Sequence, residues 1–259
     1  MRNSGGPDAA PDSPPDQAVR PRHVARYAPR MTGLSGLVWS APDSTAISHQ
    51  PSRIGCIPRR SSYRSLASLQ RDNRVCRACA EAGYPLESLP VLEGRPGQRA
   101  LIVGQAPGIV EGAERRPWRG RAGRTLRAWL ELDEAAFYET FYCVSVTRCY
   151  PGKHPSGRGD RPATIAEMDL CAFWLTWELR LLHPELILLV GGLALRRLLG
   201  RARLTECIGG RYVLGDAVAI PLPHPSGASG WLNDPANRER LEGALGLLRE
   251  ELSRLSTGA

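Results

Sequence analysis

Apolar residues are concentrated in four short runs along the chain. The runs cover residues 100–104, 141–146, 186–190 and 218–222, and each is almost continuously apolar. Runs of this length and density are typical of strands that are buried on both faces of a parallel sheet. The pattern therefore predicts a central sheet of four parallel strands.

Three longer stretches have the apolar spacing of helices and alternate with these strands. They cover residues 122–132, 163–182 and 234–255. Thr164 and Glu167 have the spacing of a capping box, while Asp234 and Pro235 suit a helix start. Strands alternating with helices predict an α/β fold, a three-layer α/β/α domain. Its ligand site is expected at the carboxyl ends of the strands.

The first 60 residues differ from the rest in being rich in Pro, Ser, Gly and Arg. This composition predicts a disordered or loosely packed extension over 1–60 and one domain over 61–259. A misassigned start codon, with Met31 as the internal alternative, would also explain it. No run reaches the roughly 18 apolar residues of a membrane span, and the N terminus lacks the apolar core of a secretory signal. A cytoplasmic protein without a membrane partner is therefore expected.

The charge balance favours a polyanionic partner. The chain has 34 Lys and Arg against 26 Asp and Glu, a net charge of +8. Charge alone does not separate a nucleic acid from a membrane surface. Because Lys153 is the only lysine, arginine carries the excess, and a GC-rich coding bias would produce the same composition.

Seven cysteines indicate metal binding, since structural disulfides are rare in the cytosol. Cys76 and Cys79 form a CxxC pair, and Cys149 and Cys171 follow the second predicted strand. Four such thiolates suit either zinc or an iron–sulfur cluster, and unligated thiols remain an alternative. The cysteines outside this set are Cys56, Cys143 and Cys207.

Two motifs follow the first and last predicted strands. The first is a Gly- and Pro-rich loop over 104–108, and the second places His224 between two prolines. Either loop, taken alone, is also typical of a structural turn. The GxGxxG fingerprint of dinucleotide-binding proteins is absent, which argues against a nicotinamide or flavin site.

Six motifs in order resemble the family 4 uracil-DNA glycosylases. They are VCRAC at 75–79, GQAPG at 104–108, PWRGRAG at 117–123, VSVTRCYPG at 144–152, DLCAFWL at 169–175 and PHPSG at 223–227. The resemblance covers about residues 70–250. It implies a monomeric bacterial enzyme acting at the nucleoid on uracil-containing DNA, with a single α/β/α domain. It also implies a 4Fe-4S cluster held by Cys76, Cys79, Cys149 and Cys171.

The resemblance implies roles for the residues of the motifs. His224 would donate a hydrogen bond to uracil O2, and Gln105 or Glu111 would position water. The substrate-binding set would comprise the backbone around Gln105 and Ala106, Trp118 stacked on the flipped base, Ser145 (or Thr147) at the base edge, and Ser226. Arg119, Arg121 and Arg124 would bind phosphates, together with an insertion over 153–161, and Trp231 and Leu232 would wedge into the opened duplex.

The sequence departs from the family pattern at three of these positions. The family has Glu, Phe and Asn where this chain has Gln105, Trp118 and Ser145. These departures leave two alternatives open: excision of another deaminated base, hypoxanthine or xanthine, and a cluster-bearing DNA-binding protein without activity. A zinc-dependent nuclease is a more distant one. No lysine is placed to form a Schiff base, so lyase activity is not expected.

Overall fold

The computed structural model describes residues 59–157, 159–200, 203–226 and 230–257. The strands are β1 (Ala100–Gly104), β2 (Phe141–Ser145), β3 (Leu186–Val190), β4 (Tyr212–Leu214) and β5 (Ala217–Leu222). The helices are α1 (Leu66–Asn73), α2 (Ala78–Glu81), α3 (Ile109–Glu114), α4 (Arg121–Leu130), α5 (Glu134–Thr140), α6 (Ile165–Leu182), α7 (Gly192–Leu199), α8 (Leu204–Cys207) and α9 (Pro235–Thr257). A short 3₁₀ turn covers Trp231–Asn233.

The strands form one sheet in the order β2-β1-β3-β5-β4. The prediction of four parallel strands is confirmed: β1, β2, β3 and β5 pair in parallel, with Val103 opposite both Val144 and Leu189. Strand β1 is followed by β2 on one side, and the chain then returns to β3 on the other. The switch point between β1 and β3 opens a crevice at their carboxyl ends, where α/β sheets bind ligands.

A fifth strand, β4, was not predicted. It has three residues and pairs antiparallel with β5 at the sheet edge. A tight turn at Gly215, which has a φ of 66°, connects the two strands. Val213 at the centre of β4 is exposed, so the segment has no continuous apolar run. The Gly215-Asp216 pair between two apolar segments was the available signal for this hairpin.

Helices cover both faces of the sheet, which confirms the three-layer prediction. Alternate residues of β1 face opposite layers, because successive side chains of a strand point to opposite sides. Leu101 and Val103 pack in the core that includes residues of α1, α6 and α7. Ala100 and Ile102 pack in the core that includes residues of α4, α5 and α9.

The predicted helix starts at Thr164 and Asp234 are confirmed. The Thr164 hydroxyl accepts from the backbone N–H of Glu167, whose carboxylate accepts from the backbone N–H of Thr164, so α6 begins with a capping box. Pro235 is the first residue of α9, and the Asp234 carboxylate accepts from the N–H of Ala236 at 2.9 Å. The shorter helices were not predicted, since 4 to 8 residues give little periodicity.

Residues 1–58 of the predicted N-terminal extension lie outside the described residues, as does Cys56. Arg59 and Arg60, the last two residues of that predicted extension, contact the domain. Arg59 donates to the carbonyl of Leu170 at 2.6 Å, and Arg60 pairs with Asp72 at 2.7 Å. None of the helices in the described ranges is long and apolar enough to cross a bilayer.

Candidate active site

His224 lies directly after β5, and a short turn fixes its ring. Its Nδ1 accepts the backbone N–H of Ser226 at 3.3 Å and lies 2.9 Å from the Ser226 hydroxyl. A backbone amide can only donate, so Nδ1 is an acceptor and the neutral ring carries its proton on Nε2. Burial lowers the pKa of His224, and the nearby charge of Glu111 opposes this shift. The ring is therefore a neutral Nε2–H donor at pH 7.

Trp118 forms a second wall of the site. Its ring centroid is 6.3 Å from that of His224, with an interplanar angle of 35°. The residue is 7% exposed and has a φ of 61°, a conformation that is unusual for a side chain of this size. Arg127 holds the loop by donating to the Trp118 carbonyl at 2.8 Å. The indole N–H is buried and has no hydrogen-bond partner in the described part of the chain.

Gly104 and Ser145 end β1 and β2 beneath this ring. A Cβ on Gly104 would lie 3.0 Å from the Trp118 ring and 3.2 Å from the Ser145 hydroxyl oxygen. The absence of a side chain at residue 104 therefore lets the indole approach the strand ends. Ser145 is buried, and its hydroxyl shares this floor with the indole.

Gln105 crosses the switch point from β1 to β3. A Cβ on Gly191 would lie 2.6 Å from the Gln105 amide nitrogen, and Gly191 has a φ of 90°. Glycine is thus required there both for conformation and for space. The Gln105 carbonyl accepts from the N–H of Thr147 at 3.3 Å, and the buried Thr147 hydroxyl has no partner in the described ranges.

Glu111 joins the two loops that surround the site. One carboxylate oxygen accepts the backbone N–H of Gly108 at 3.1 Å, and the other accepts that of Gly120 at 2.6 Å. The first bond starts α3 and the second precedes α4. A single carboxylate therefore fixes both the loop after β1 and the loop that carries Trp118.

The four predicted cysteine ligands line one cavity of about 330 Å³. Burial, followed by the charges of Cys171 and Cys76, raises the pKa of Cys79 to about 12, and burial likewise raises that of Cys149. The Cys79 and Cys149 thiols thus each lie close enough to Cys76 and Cys171 for charge on those two thiols to affect their pKa. Among the described residues, no three His, Cys, Asp or Glu side chains are close enough to hold a single metal ion.

Several N–H groups face or border this cavity. The backbone N–H of Arg148 donates to Sγ of Cys171 at 3.3 Å. Arg59, Arg148 and Trp174 line the cavity and carry buried side-chain N–H groups that have no partner in the described ranges. Unpaired buried donors are costly, so their presence beside four thiols suits an anionic sulfur group.

The sequence pattern of one protein family, the uracil DNA glycosylase superfamily, matches residues 92–245, which is more than half of the chain. The chain belongs to the uracil DNA glycosylase superfamily. It is 30% identical over 160 residues to the type-4 uracil-DNA glycosylase of Thermotoga maritima, covering 59% of this chain and 77% of that protein. It is 24% identical over 195 residues to the type-4 enzyme of Sulfurisphaera tokodaii, covering 72% of this chain and 84% of that protein. The chain is therefore a DNA glycosylase, a hydrolase, and a divergent member related to the type-4 enzymes.

The glycosylase fold brings most of the predicted site residues together. His224, Gln105 and Ser145 all lie at carboxyl ends of parallel strands, while Trp118 and Glu111 lie on the loops above them. Ala106 is half-buried in the loop after β1, and Ser226 holds the His224 ring. The grouping predicted at this edge of the sheet is thus present as a geometric arrangement.

The predicted DNA-binding residues of the glycosylase differ in exposure and in the contacts that they make. Arg119 contacts the carboxylates of Glu114 and Glu134. Arg121 donates to the Ser226 carbonyl at 3.0 Å, and Arg124 is exposed on α4. The remaining pair, Trp231 and Leu232, is half-buried against the α9 core, and the Trp231 ring N–H donates to Thr205 at 3.0 Å. Of the loop that precedes this pair, residues 227–229 lie outside the described ranges.

Sequence reasoning missed Asp160 and Tyr150 of the glycosylase. The Tyr150 hydroxyl donates to Asp160 at 3.0 Å, and the other oxygen of Asp160 lies 3.4 Å from the position that a Cβ on Gly108 would occupy. Asp160 therefore adds a second carboxylate beside Glu111. No local sequence signal places Asp160, within the predicted insertion, against the loop after β1.

Proposed function

We propose that this chain removes uracil from DNA by hydrolysing the N-glycosidic bond, the first step of base excision repair. The observation that carries the proposal is the Nε2–H tautomer of His224, held at the end of β5 beside Trp118. A neutral donor in this position suits a base that leaves as an anion. One such preorganised donor contributes roughly 3–4 kcal/mol to transition-state stabilisation in other enzymes.

The reaction breaks the bond between the deoxyribose C1′ and N1 of uracil. The electron pair leaves with the base, and the His224 Nε2–H bonds to O2 as negative charge develops there. The backbone N–H groups around Gln105 and Ala106 would bind the uracil carbonyls. Ser145 and Thr147, at the end of β2, and Ser226, beside His224, lie at the same edge of the sheet. Base flipping must come first, and stacking on the Trp118 ring would be worth about 1–3 kcal/mol.

Positive charge develops on the sugar as the bond breaks, by analogy with O-glycosides. The negative charge of Glu111 acts on His224, whose pKa it raises, so we assign the Glu111 carboxylate to stabilising the sugar cation. Gln105 is an amide and cannot take a proton near pH 7, but it can orient the attacking water by hydrogen bonding. Water adds to C1′ and releases a proton, which leaves a free base and an abasic site.

The four cysteines would hold a 4Fe-4S cluster. Thiolates are the usual ligands of such clusters, and a cluster whose irons each bind a different thiolate tolerates ligands more widely spaced than a single ion does. The N–H groups of Arg59, Arg148 and Trp174 support this assignment, because they can donate to anionic sulfur. When bound, the cluster would cross-link Cys76 and Cys79 to the segment after β2, through Cys149, and to α6, through Cys171, stabilising the fold.

The partner that fits this function is DNA containing uracil or another deaminated base. Arg121 and Arg124 would contact phosphates, and Trp231 and Leu232 would fill the vacated stack after leaving their present packing. A monomer in the bacterial cytoplasm, at the nucleoid, suffices for this activity.

The deciding experiment uses anaerobically purified protein and an oligonucleotide with one U opposite G, followed by alkali. Cleavage at U and not at T is expected. His224→Ala should reduce the single-turnover rate by about 10²–10³ while duplex binding is kept. The chain offers a matched control, His154→Ala, because His154 lies in an identical His-Pro-Ser-Gly turn on an exposed loop. Equal loss in both variants would refute the proposed role of His224.

A second substrate class is favoured by the short side chain of Ser145. A hydroxyl there cannot make the paired hydrogen bonds of an amide to a uracil edge, so hypoxanthine or xanthine remains a candidate. Release from oligonucleotides that carry U, hypoxanthine or xanthine discriminates between them. An inactive DNA-binding protein would bind all three and cleave none.

A further inference from the structure

Arginines without carboxylate partners are concentrated around α1. Residues 59–77 contain six arginines and one carboxylate, Asp72, which is paired with Arg60. We call the arginines on this surface that have no carboxylate partner the arginine strip. They are Arg64, Arg71, Arg74, Arg77 and Arg115. All are exposed except Arg74, which is half-buried.

The strip differs from most other arginines of the molecule. Thirteen described arginines lie within 4.0 Å of a carboxylate, including Arg99 with Glu185, Arg161 with Glu167 and Arg211 with Glu250. No described Asp or Glu reaches any guanidinium of the strip. No ion pair with a described residue therefore neutralises the positive charge of this surface, whereas 13 of the 20 other described arginines have such a pair.

The strip has a consistent geometry. Arg71 in the last turn of α1 and Arg74 at its C-cap are three residues apart and so lie on one side of this end of the helix, whereas Arg64 precedes the N-cap Ser65 at the other end. The eight residues of α1 separate the two ends by about 12 Å. The Arg115 guanidinium donates to the Arg74 carbonyl at 2.9 Å and so links the end of α1 to α3. Helix α3 begins after Gly108, at the candidate active site, and ends at the C-cap Arg115. The strip therefore extends outward from the edge of that site.

We propose that the arginine strip binds the DNA backbone beyond the flipped nucleotide. This inference rests on the proposed function, because it extends the DNA path of the same site. A duplex carries one phosphate charge per about 1.7 Å of axis, so a strip of this length faces several phosphates. Arginine at a helix C terminus also stabilises the helix dipole, but Arg64 at the opposite end of α1 is not explained in that way.

The test measures binding of an undamaged 20-base-pair duplex from 50 to 200 mM salt. The variant is R64Q/R71Q/R74Q, which leaves Arg77 beside Cys76 unchanged. Loss of three phosphate contacts should make the plot of log affinity against log salt less steep by about 2.7. The affinity lost between 50 and 200 mM salt would then be roughly 40-fold smaller than in the wild-type protein. The matching R64K/R71K/R74K variant should retain most of the wild-type slope, because lysine keeps the charge.

The control variant R95Q/R180Q/R249Q removes the same charge from exposed arginines before β1, at the end of α6 and on α9. Thermal melting and iron content confirm that each variant is folded. An unchanged slope in the strip variant would overturn the proposal, and so would an equal reduction of the slope in the control variant. The proposal would also be wrong if the strip variant lost binding to anionic vesicles while its duplex binding stayed intact. If the wild-type protein cleaves no deaminated base but the strip variant still shows a less steep slope, DNA binding by the strip is supported and only the proposed activity is refuted.

Discussion

The backbone N–H of Ser226 donates to Nδ1 of His224 at 3.3 Å, and this bond fixes the tautomer of the ring. The same arrangement joins Ser156 to His154 at 3.1 Å. The His-Pro-Ser sequence therefore forms this turn in two different surroundings. What distinguishes the two histidines is their location, since His224 is partly buried beside Trp118 and His154 is exposed.

This relationship predicts an acid limb in the pH dependence of excision. Burial lowers the pKa of His224 below 6.5, so the neutral donor predominates above that pH and is lost as the pH falls through the lowered value. The kcat/KM for U-containing DNA should decline on that limb. Because the unfolded state binds the proton more readily, the same residue should reduce the free energy of unfolding below about pH 6.5. A pH profile and urea titrations at several pH values measure both effects.

Glu111→Gln tests the charge that opposes this lowering of the His224 pKa. Removing the negative charge that raises the pKa of His224 should move the acid limb to lower pH. The substitution keeps the shape of the side chain but leaves one acceptor oxygen for two backbone N–H groups. Its bond to Gly108 or to Gly120 is therefore lost, with a loss of about 1–3 kcal/mol of stability. NMR titration of the His224 ring, assigned with His224→Ala, measures the pKa directly. A limb that moves to higher pH would contradict this account.

The fold was largely predictable because its parallel strands are buried on both faces. Continuous apolar runs over β1, β2, β3 and β5 are a strong local signal, whereas β4 has an exposed Val213 and only an edge position. The start of α6 was predictable for a similar reason, since a capping box depends on residues three apart. Both successes rest on interactions within a short stretch of chain.

The site was predictable only in part. Gln105 and His224 follow strands, and topology alone brings them to one edge. The approach of Asp160 to Gly108 depends on how the insertion folds back, and no local pattern encodes it. The two bonds of Glu111 to separate loops likewise appear only in the folded chain. Contacts that a side chain makes with a different loop were therefore not predictable from the sequence.

Gly123→Ala should disrupt the Trp118 loop. A Cβ at residue 123 would lie 1.8 Å from the Trp118 carbonyl oxygen, so the loop would have to move. We expect a loss of about 1–3 kcal/mol in the free energy of unfolding, together with a large loss of excision. Gly243→Ala is the matched control, because that position in α9 has open space and should gain about 0.5–1 kcal/mol. Urea unfolding and single-turnover rates compare the two; equal behaviour would count against the role of this close contact.

Cys171→Ser should release the metal. Cys171 lines the cavity with the other three predicted ligands, whereas Cys207 is buried away from it. Iron and sulfide content and visible absorbance should fall in Cys171→Ser and persist in Cys207→Ser. The melting temperature should also fall, because metal binding contributes directly to folding. Zinc in place of iron in the wild-type protein would contradict the cluster assignment.

The buried ion pair of Arg148 and Glu178 should shift the reduction potential of the proposed cluster. Arg148 lines the cysteine cavity, and the Glu178 carboxylate, also bonded by Tyr142 and Asn73, contacts its guanidinium. Glu178→Gln removes a negative charge near the cluster, so reduction becomes easier and the potential should rise. One unit charge in a partly screened interior shifts a nearby potential by an amount on the order of tens of millivolts.

The opposite change, Arg148→Gln, should lower the potential, and the double variant should return close to the wild-type value, because the two charges cancel. Arg148→Gln alone leaves Glu178 buried without its partner and should cost about 3–5 kcal/mol of stability, so the double variant also tests whether folding recovers. Glu185→Gln, which breaks a half-exposed pair with Arg99 before β3, is the control and should leave the potential unchanged. Potentials that do not respond to either charge would show that the pair serves only to hold α6 to the segment after β2.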